Sequence, residues 1–358
     1  MPTFLDINTL MKTENLDDVS KLRYFDETTY VSQQKFDNIK KSIDAIKNKE
    51  LYVNSLPPFY SIEPTNHCNL RCVLCPSGKM DKNIKRGYMK FEEYKNIIDK
   101  IADTTIAITL LHWGEPTLHR DIIKFISYAC KKDIRTILSS NFSLRYKEGF
   151  IEKLAESGLD ILNIDLDGIS QNVYEKYRVG GNVSIVKENL KLFCSLKHKT
   201  KTKIWVTMII SKYNEHEIAQ FKNFCSALPI DNISLNKLQL NPKSSINWLP
   251  ENLELRYNNY LYPEGKKEYC SRMYFDMSID WNYKIPTCCL AYGDVNTVGN
   301  LATHSIPEIW NNEYFQSMRS VFSNQKPYVS LKTLCHMCQN DLGSQHIKHY
   351  ENTLAITL

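Results

Sequence analysis

Glu63-Pro-Thr-Asn-His-Cys68-Asn-Leu-Arg-Cys72-Val-Leu-Cys75-Pro76 places three cysteines in a C-x3-C-x2-C run directly after an apolar stretch, Phe59 to Glu63, that reads as a strand. Cysteine thiolates hold iron-sulfur clusters, and three of them are one short of closing a four-iron cube. The fourth iron is then open to a substrate or cofactor, by the same logic that keeps one position open in a catalytic metal site. A zinc site built from the same thiols is the alternative, and it needs a fourth ligand such as His67 or His112.

Outward from this loop the chain alternates. Candidate strands fall at Phe59 to Glu63, Ile106 to Leu111, Thr136 to Ser139, Ile161 to Leu166, Ile204 to Ile210 and Ile233 to Leu240. Helical patterns lie between them, at Phe91 to Ala102, Asp121 to Lys131, Lys147 to Ser157, Ser184 to Leu196 and Glu215 to Ala227. Six strands with crossover helices predict an α/β fold with a parallel sheet, open or curled into a barrel. Ligands of such sheets gather at the C-terminal strand ends, where the cysteine loop sits. Before the first strand, residues 1–57 form a polar extension with Ile39, Ile43 and Ile46 at helical spacing, read as a packing arm. After about Asn241 the pattern breaks into Pro, Asn, Trp and Tyr with cysteines at Cys270, Cys288, Cys289, Cys335 and Cys338, predicting a second unit organised partly by a metal centre.

Composition sets the outer limits. At 358 residues, 42% hydrophobic and 24% charged, the chain has the balance of a globular protein. Its 45 basic and 40 acidic residues form no long like-charge block, which argues against nucleic acid as a partner. No run of 18 apolar residues spans a bilayer and no secretory signal opens the chain, so no membrane and a cytoplasmic location are expected. In that reducing compartment, eleven cysteines read as metal ligands before disulfides.

Cys68, Cys72 and Cys75 in this spacing resemble the signature of the radical S-adenosylmethionine (SAM) superfamily. The resemblance implies a partial (β/α)6 TIM-like barrel and a [4Fe-4S] cluster whose open iron is chelated by SAM. Reductive cleavage of SAM then yields a 5'-deoxyadenosyl radical that abstracts hydrogen from substrate. Further motifs arrive in the family's order. His112-Trp-Gly114-Glu115-Pro is similar to the family's Gly-Gly-Glu-Pro segment, with Trp113 in place of the first glycine. There the glycine admits a close backbone approach and the glutamate accepts from the methionine ammonium. Ser139-Ser140-Asn141 resembles the family's Thr-Asn-Gly segment, with Phe142 replacing the glycine. Asp165-Leu-Asp167-Gly168 and Arg178-Val-Gly-Gly181 resemble the segment whose arginine pairs with the SAM carboxylate, a task suited to a planar fork of donors. The implied cofactor-binding set is Gly114, Glu115, Ser140, Asn141, Asp167 and Arg178. Arg86-Gly-Tyr-Met89 also matches, as a turn into the following helix.

Cys270, Cys288, Cys335 and Cys338 supply four thiolates, enough to close a second four-iron cluster. Together with Pro286, Gly299-Asn300-Leu301 and Ser305-Ile-Pro-Glu308-Ile-Trp310-Asn311 they resemble the SPASM/twitch auxiliary-cluster region, the shorter twitch form fitting the cysteine number. Tyr283 stands where that family places glycine, and Asn282 before it can form the turn through its side chain. Cys289 either replaces Cys288 as ligand or packs as a small hydrophobe. A structural four-cysteine zinc site is the alternative for this set. Cys130, Cys194 and Cys225 lie in helical patterns and read as core. The expected division is therefore 1–57, an N-terminal helical extension; 58–240, the partial barrel; 241–345, the small C-terminal iron-sulfur domain; and 346–358, a tail.

A closed second cluster serves as an electron acceptor, which fits oxidation of a small alcohol, sugar or aminocyclitol. The cluster arrangement resembles that of the dehydrogenase acting on an aminocyclitol in butirosin biosynthesis. Modification of a peptide or protein is the second expectation, and a zinc-stabilised binding module the one from outside enzymes. The resemblance further implies a flavodoxin- or ferredoxin-type reductant. No residue in the sequence stands out as the base.

Overall fold

Short strands, the first two buried from end to end and most of them followed by a helix, build the framework that carries the cysteine loop. The structure is a computed structural model and describes residues 5–6, 30–238, 243–256, 270–289, 291–293, 297–323, 325, 331 and 333–335. Strands β1 (Phe59–Ile62), β2 (Ala107–Leu110), β3 (Arg135–Ser140), β4 (Ile161–Asp165), β5 (Lys203–Ile210) and β6 (Asn232–Lys237) fall where the sequence pattern puts them. A seventh, β7 (Asp276–Ile279), comes from the segment expected to lie outside the sheet. All seven run parallel in the order β6-β5-β4-β3-β2-β1-β7, an open α/β partial barrel. Phe59 pairs with Ala107 on one side and with Asp276 on the other, so β1 is an interior strand.

The helix after the cysteine loop shows how the sequence sets the packing. In α2 (Phe91–Ile101), Tyr94, Ile97, Ile98 and Ile101 share one face and are fully buried. Glu93 reaches back to the Lys90 N–H at 2.8 Å, satisfying a donor the first turn leaves over. Tyr94 stacks on Phe125 of α3 (Ile122–Lys131) with ring centroids 4.1 Å apart. A short helix, α4 (Gln171–Tyr177), escaped the pattern; buried Glu217 accepts from the N–H groups of Ile169 and Ser170 at its start.

Ahead of the barrel, α1 (Gln33–Lys47) buries Ile39, Ile43 and Ile46, each worth about 1.5–3 kcal/mol on transfer from water. The segment that follows is clamped to the C-terminal region. Val53 N–H donates to Asn311 Oδ1 at 2.8 Å, and Asn311 Nδ2 donates back to Val53 O at 3.0 Å. Arg319, fully buried, donates to Leu51 O and Met273 O and lies 4.6 Å over the Trp310 ring. Burial drives its guanidinium down to about 9.

Candidate active site

Chain direction in a parallel sheet sends every loop after β1 to β4 to the same end, and there the predicted site residues meet. The cysteine loop leaves β1 and is strapped to the end of α4: Arg71 N–H donates to Val179 O at 2.9 Å and Val73 N–H to Tyr177 O at 3.1 Å. Cys72 and Cys75 bear on the charge of Cys68, and Cys75 on that of Cys72, so the three thiols lie near one another. Burial pushes the Cys68 thiol up to about 12, with the Glu115 carboxylate adding to the rise. Burial likewise takes Cys72 to about 11, opposed by the Arg178 guanidinium. Thiols held there alone stay protonated at neutral pH, and a bound metal centre displaces such protons. This donor set fits an iron-sulfur cluster. Neither histidine weighed as a zinc ligand completes it by a contact to the thiols: His67 stacks on Tyr88 at 4.7 Å, and both ring nitrogens of His112 are engaged elsewhere.

Gly114, after β2, passes so close to the cysteine loop that an added Cβ would stand 1.9 Å from Thr65 O. The glycine is therefore required for the contact between the two loops. Glu115 is buried and organises the next strand end. Its Oε1 accepts from Thr117 N, Thr117 Oγ1 and Ser140 Oγ, the last at 2.7 Å, whereas among the described residues Oε2 accepts from Asn141 N alone, at 2.8 Å. Asn141 in turn donates to Asn69 Oδ1 at 2.9 Å and lies 3.9 Å from Cys68 Sγ.

A second chain of contacts starts from β4. Arg178 Nε donates to Asp167 Oδ2 at 2.5 Å, its Nη2 lies 3.5 Å from Asp165, and its Nη1 is 3.9 Å from Cys72 Sγ. Burial lifts the Asp165 carboxyl to about 6 against the pull of that arginine. Asp167 is also fixed from the far side, where Ile209 N–H donates to its Oδ1 at 2.7 Å. Asn141 and Arg178 thus reach the thiols of Cys68 and Cys72, Glu115 and Asp167 hold them from behind, Ser140 is tied to Glu115, and Gly114 packs on the cysteine loop at Thr65.

The two bulky residues found at glycine positions keep a glycine-like backbone. Phe142 has φ 52° and Tyr283 φ 69°, left-handed values that cost a non-glycine residue of order 1–3 kcal/mol. At the second, Asn282 Oδ1 accepts from Lys284 N–H at 3.4 Å, so the side chain does support the turn.

Sequence reasoning missed a third group. Glu63, His112 and Asp280 follow three adjacent parallel strands, β1, β2 and β7, and their polar atoms lie within 4.8 Å of one another. His112 Nδ1 is 2.8 Å from Asp280 Oδ1, and Glu63 accepts from Trp113 N–H at 2.9 Å. Burial raises the Glu63 carboxyl to about 7, with the Asp280 charge adding and His112 opposing. The His112 imidazole, although burial works against its charge, is raised overall by Asp280 and Glu63. Glu63 and His112 sit at strand ends in the sequence pattern; Asp280 was hidden because β7 was.

The same region meets the second cysteine group. His112 Nε2 lies 3.2 Å from Cys289 O, and Trp113 Nε1 donates to Ala291 O at 2.7 Å. Cys270, Cys288 and Cys289 lie near the half-buried Arg272, whose guanidinium contacts Cys289 Sγ. Cys335 is buried, and Cys338 lies outside the described residues.

Comparison with known proteins agrees with this geometry. Residues 62–225 match the model of the radical SAM superfamily and residues 270–339 that of SPASM, an iron-sulfur cluster-binding domain. The Fe-coproporphyrin III synthase of Methanosarcina barkeri is 34% identical over 114 residues, 32% of this chain and 28% of the relative. The GTP 3',8-cyclase of Alkaliphilus metalliredigens is 31% identical over 181 residues, 48% of this chain and 54% of the relative. The chain thus spans about half or less of the length of these curated relatives. In fold it is similar to Streptococcus suis SuiB bound to S-adenosylmethionine, with TM-score 0.63, 17% identity and coverage of 89% of this chain and 80% of the other. It is also similar to anSMEcpe with bound AdoMet and Cp18Cys peptide, with TM-score 0.54, 14% identity, and 84% and 100% coverage. No described helix is long and apolar enough to cross a membrane. The chain carries a radical SAM domain over residues 62–225, with the SAM and four-iron-cluster cofactors of that domain, and a SPASM domain over residues 270–339 for auxiliary iron-sulfur binding.

Proposed function

We propose that this radical SAM enzyme oxidises a small alcohol, sugar or aminocyclitol to the carbonyl level. Cys68, Cys72 and Cys75 hold the catalytic cluster; Cys270, Cys288, Cys335 and Cys338 hold the auxiliary one. When bound, SAM and the first cluster supply hydrogen-atom abstraction, and the auxiliary cluster supplies a one-electron acceptor. Glu115 keeps one acceptor direction on Oε2 for the SAM ammonium while its other oxygen orients Ser140 and Asn141. Arg178, held by Asp167, presents positive charge beside Cys72 and toward the SAM carboxylate. Gly114 lets the two loops close around them. The hydroxyl proton goes to Asp280 Oδ, which is 24% exposed and backed by His112.

The observation that supports this reading is the pair of hydrogen bonds from His112 and Trp113 to the Cys289–Ala291 segment. They join the second cysteine group to the loop that begins the Gly-Glu-Pro segment, so an electron acceptor stands beside the site of abstraction. The test is anaerobic turnover of carbon-deuterated sugars and aminocyclitols by wild type and by a Cys270→Ala/Cys288→Ala variant. Deuterium should reach 5'-deoxyadenosine in both, with ketone released by wild type only. Undiminished ketone from the variant would sink the electron-acceptor role. A peptide substrate is the second reading, favoured by the peptide bound in anSMEcpe, and deuterated peptides belong in the same panel.

A further inference from the structure

Alternation along the strands sorts their side chains onto two faces of the sheet, and the pairing register says which residues share a face. Tyr60, Ile108, Leu138, Leu162, Val206 and Met277 share one; it is apolar and at most 2% exposed, as the helix-covered outside of a barrel must be. Ser61, Thr109, Ser139, Asn163, Thr207 and Ser278 share the other, the lumen face, which bulky aliphatic side chains ordinarily fill. Five of these are 6–9% exposed and Asn163 is half-buried, so this face, unlike the outer one, is open to solvent. Two residues earlier on the same face stand Phe59, Ile137, Ile161 and Trp205. The lumen therefore has an apolar floor and, at the end where the cysteine loop sits, a polar layer.

The polar layer is internally wired. Asn163 Nδ2 donates to Ser139 Oγ at 2.9 Å, and Asn163 Oδ1 accepts from Thr207 Oγ1 at 2.8 Å. Ser139 thus keeps its own O–H to donate, and Thr207 Oγ1 keeps lone pairs to accept. Thr109 Oγ1 is buried with no hydrogen-bond partner among the described residues, a state that buried hydroxyls rarely keep. The layer also reaches the catalytic end: Asn163 Nδ2 lies 3.4 Å from Asp165 Oδ1, and Asp165 lies 3.5 Å from the arginine that approaches Cys72 Sγ. On the opposite flank, Asp280 comes two residues after Ser278.

A free donor beside a free acceptor is what adjacent hydroxyl groups of a ring complement, since each hydroxyl can give one hydrogen bond and take another. None of the six residues carries a charge, and the adjoining Asp165 carboxylate is matched by Arg178. We propose that this layer is the specificity wall of the substrate site and that it selects a neutral ring with adjacent hydroxyl groups, a sugar or cyclitol, over an aminocyclitol or a peptide side chain. The proposal rests on the oxidative reading above and narrows it. An ammonium group finds no carboxylate to spare in this layer. An apolar side chain leaves Thr109, Ser139 and Thr207 unpaired, and unpaired polar groups in a site discriminate more strongly than a missing methylene does.

The test uses anaerobically reconstituted, SAM-loaded enzyme and equilibrium dialysis of labelled D-glucose, D-galactose, D-mannose and myo-inositol, each set against its monodeoxy and monoamino counterparts. At least one neutral ring should bind about tenfold or more tighter than both counterparts. Thr109→Val and Ser139→Ala each remove one hydroxyl with little change of volume, and each should weaken that binding about tenfold or more. Iron content, SAM affinity and melting temperature should stay at the wild-type values in both variants. Tighter binding of an amino counterpart, no binding by any neutral ring, or binding that neither variant weakens overturns the wall. A neutral ring that binds as expected, yet whose carbon-deuterated form yields neither ketone nor deuterated 5'-deoxyadenosine, leaves the wall standing and sinks the oxidative reading, a separate failure.

Discussion

The two cysteine groups are built in opposite ways. Cys68, Cys72 and Cys75 share one loop eight residues long, fixed at the end of an interior strand and surrounded by side chains from three further strand ends. Cys270, Cys288 and Cys335 are spread over more than sixty residues, and the first two approach one another at the half-buried Arg272. The first arrangement is local in sequence and crowded with polar contacts. The second depends on long-range packing, including the clamp from Val53 to Asn311 and the Arg319 contacts with Leu51 and Met273. A local site tolerates disturbance elsewhere in the chain, whereas a dispersed one reports on the whole fold.

The sharpest way to separate the groups is to remove one. A Cys68→Ala/Cys72→Ala/Cys75→Ala variant should fall from about eight irons to about four and lose all SAM cleavage, measured by iron and sulfide assay and by 5'-deoxyadenosine release. A wild type with about four irons and a variant with none would leave the C-terminal group without a cluster. Next in size is the loop contact. Gly114→Ala places a methyl group against Thr65 O and should cost about 3 kcal/mol, seen as a lower melting temperature with loss of catalytic-cluster signal and retention of the auxiliary one. Equal loss of both signals would mean that the two groups are not independent.

The smallest effect concerns the seam between them. Glu63 is raised from 4.5 to about 7 in the folded protein, so its contribution to stability is complete below about pH 4.5 and is lost as pH climbs through about 7. His112, also raised, acts in the same direction. The melting temperature should drop by roughly 2–4 °C between about pH 5 and about pH 8, and Glu63→Gln should flatten that slope. An unchanged slope in the variant would place the pH dependence elsewhere.

Legibility followed the same division. The first five barrel strands were readable because each is a short apolar stretch followed by a helical pattern, the sixth because it continues that alternation, and the first cysteine loop because its spacing is contiguous. Gly114, Glu115, Ser140, Asn141, Asp167 and Arg178 could be named because their segments resemble the family's motifs, and the first five lie at or just after strand ends. Asp276–Ile279 could not, since Asp-Met-Ser-Ile is only four residues long and sits in a Tyr- and Asn-rich context. Without that strand Asp280 had no reason to stand beside Glu63 and His112. Phe142 and Tyr283 looked like departures from a glycine pattern, yet their positive φ values show that the turn geometry survives and strain replaces the missing glycine.

The seventh strand also bears on how separable the two halves of this molecule are. β7 occupies the flank of β1 between Cys270 and Cys288, so the auxiliary segment completes the sheet that supports the catalytic loop. A chain cut at residue 240 would leave the β1 backbone with a row of unpaired amides and carbonyls, a template for another chain to join. The boundary visible in composition is thus no seam for excision: iron-sulfur module and barrel share a strand, and with it their solubility.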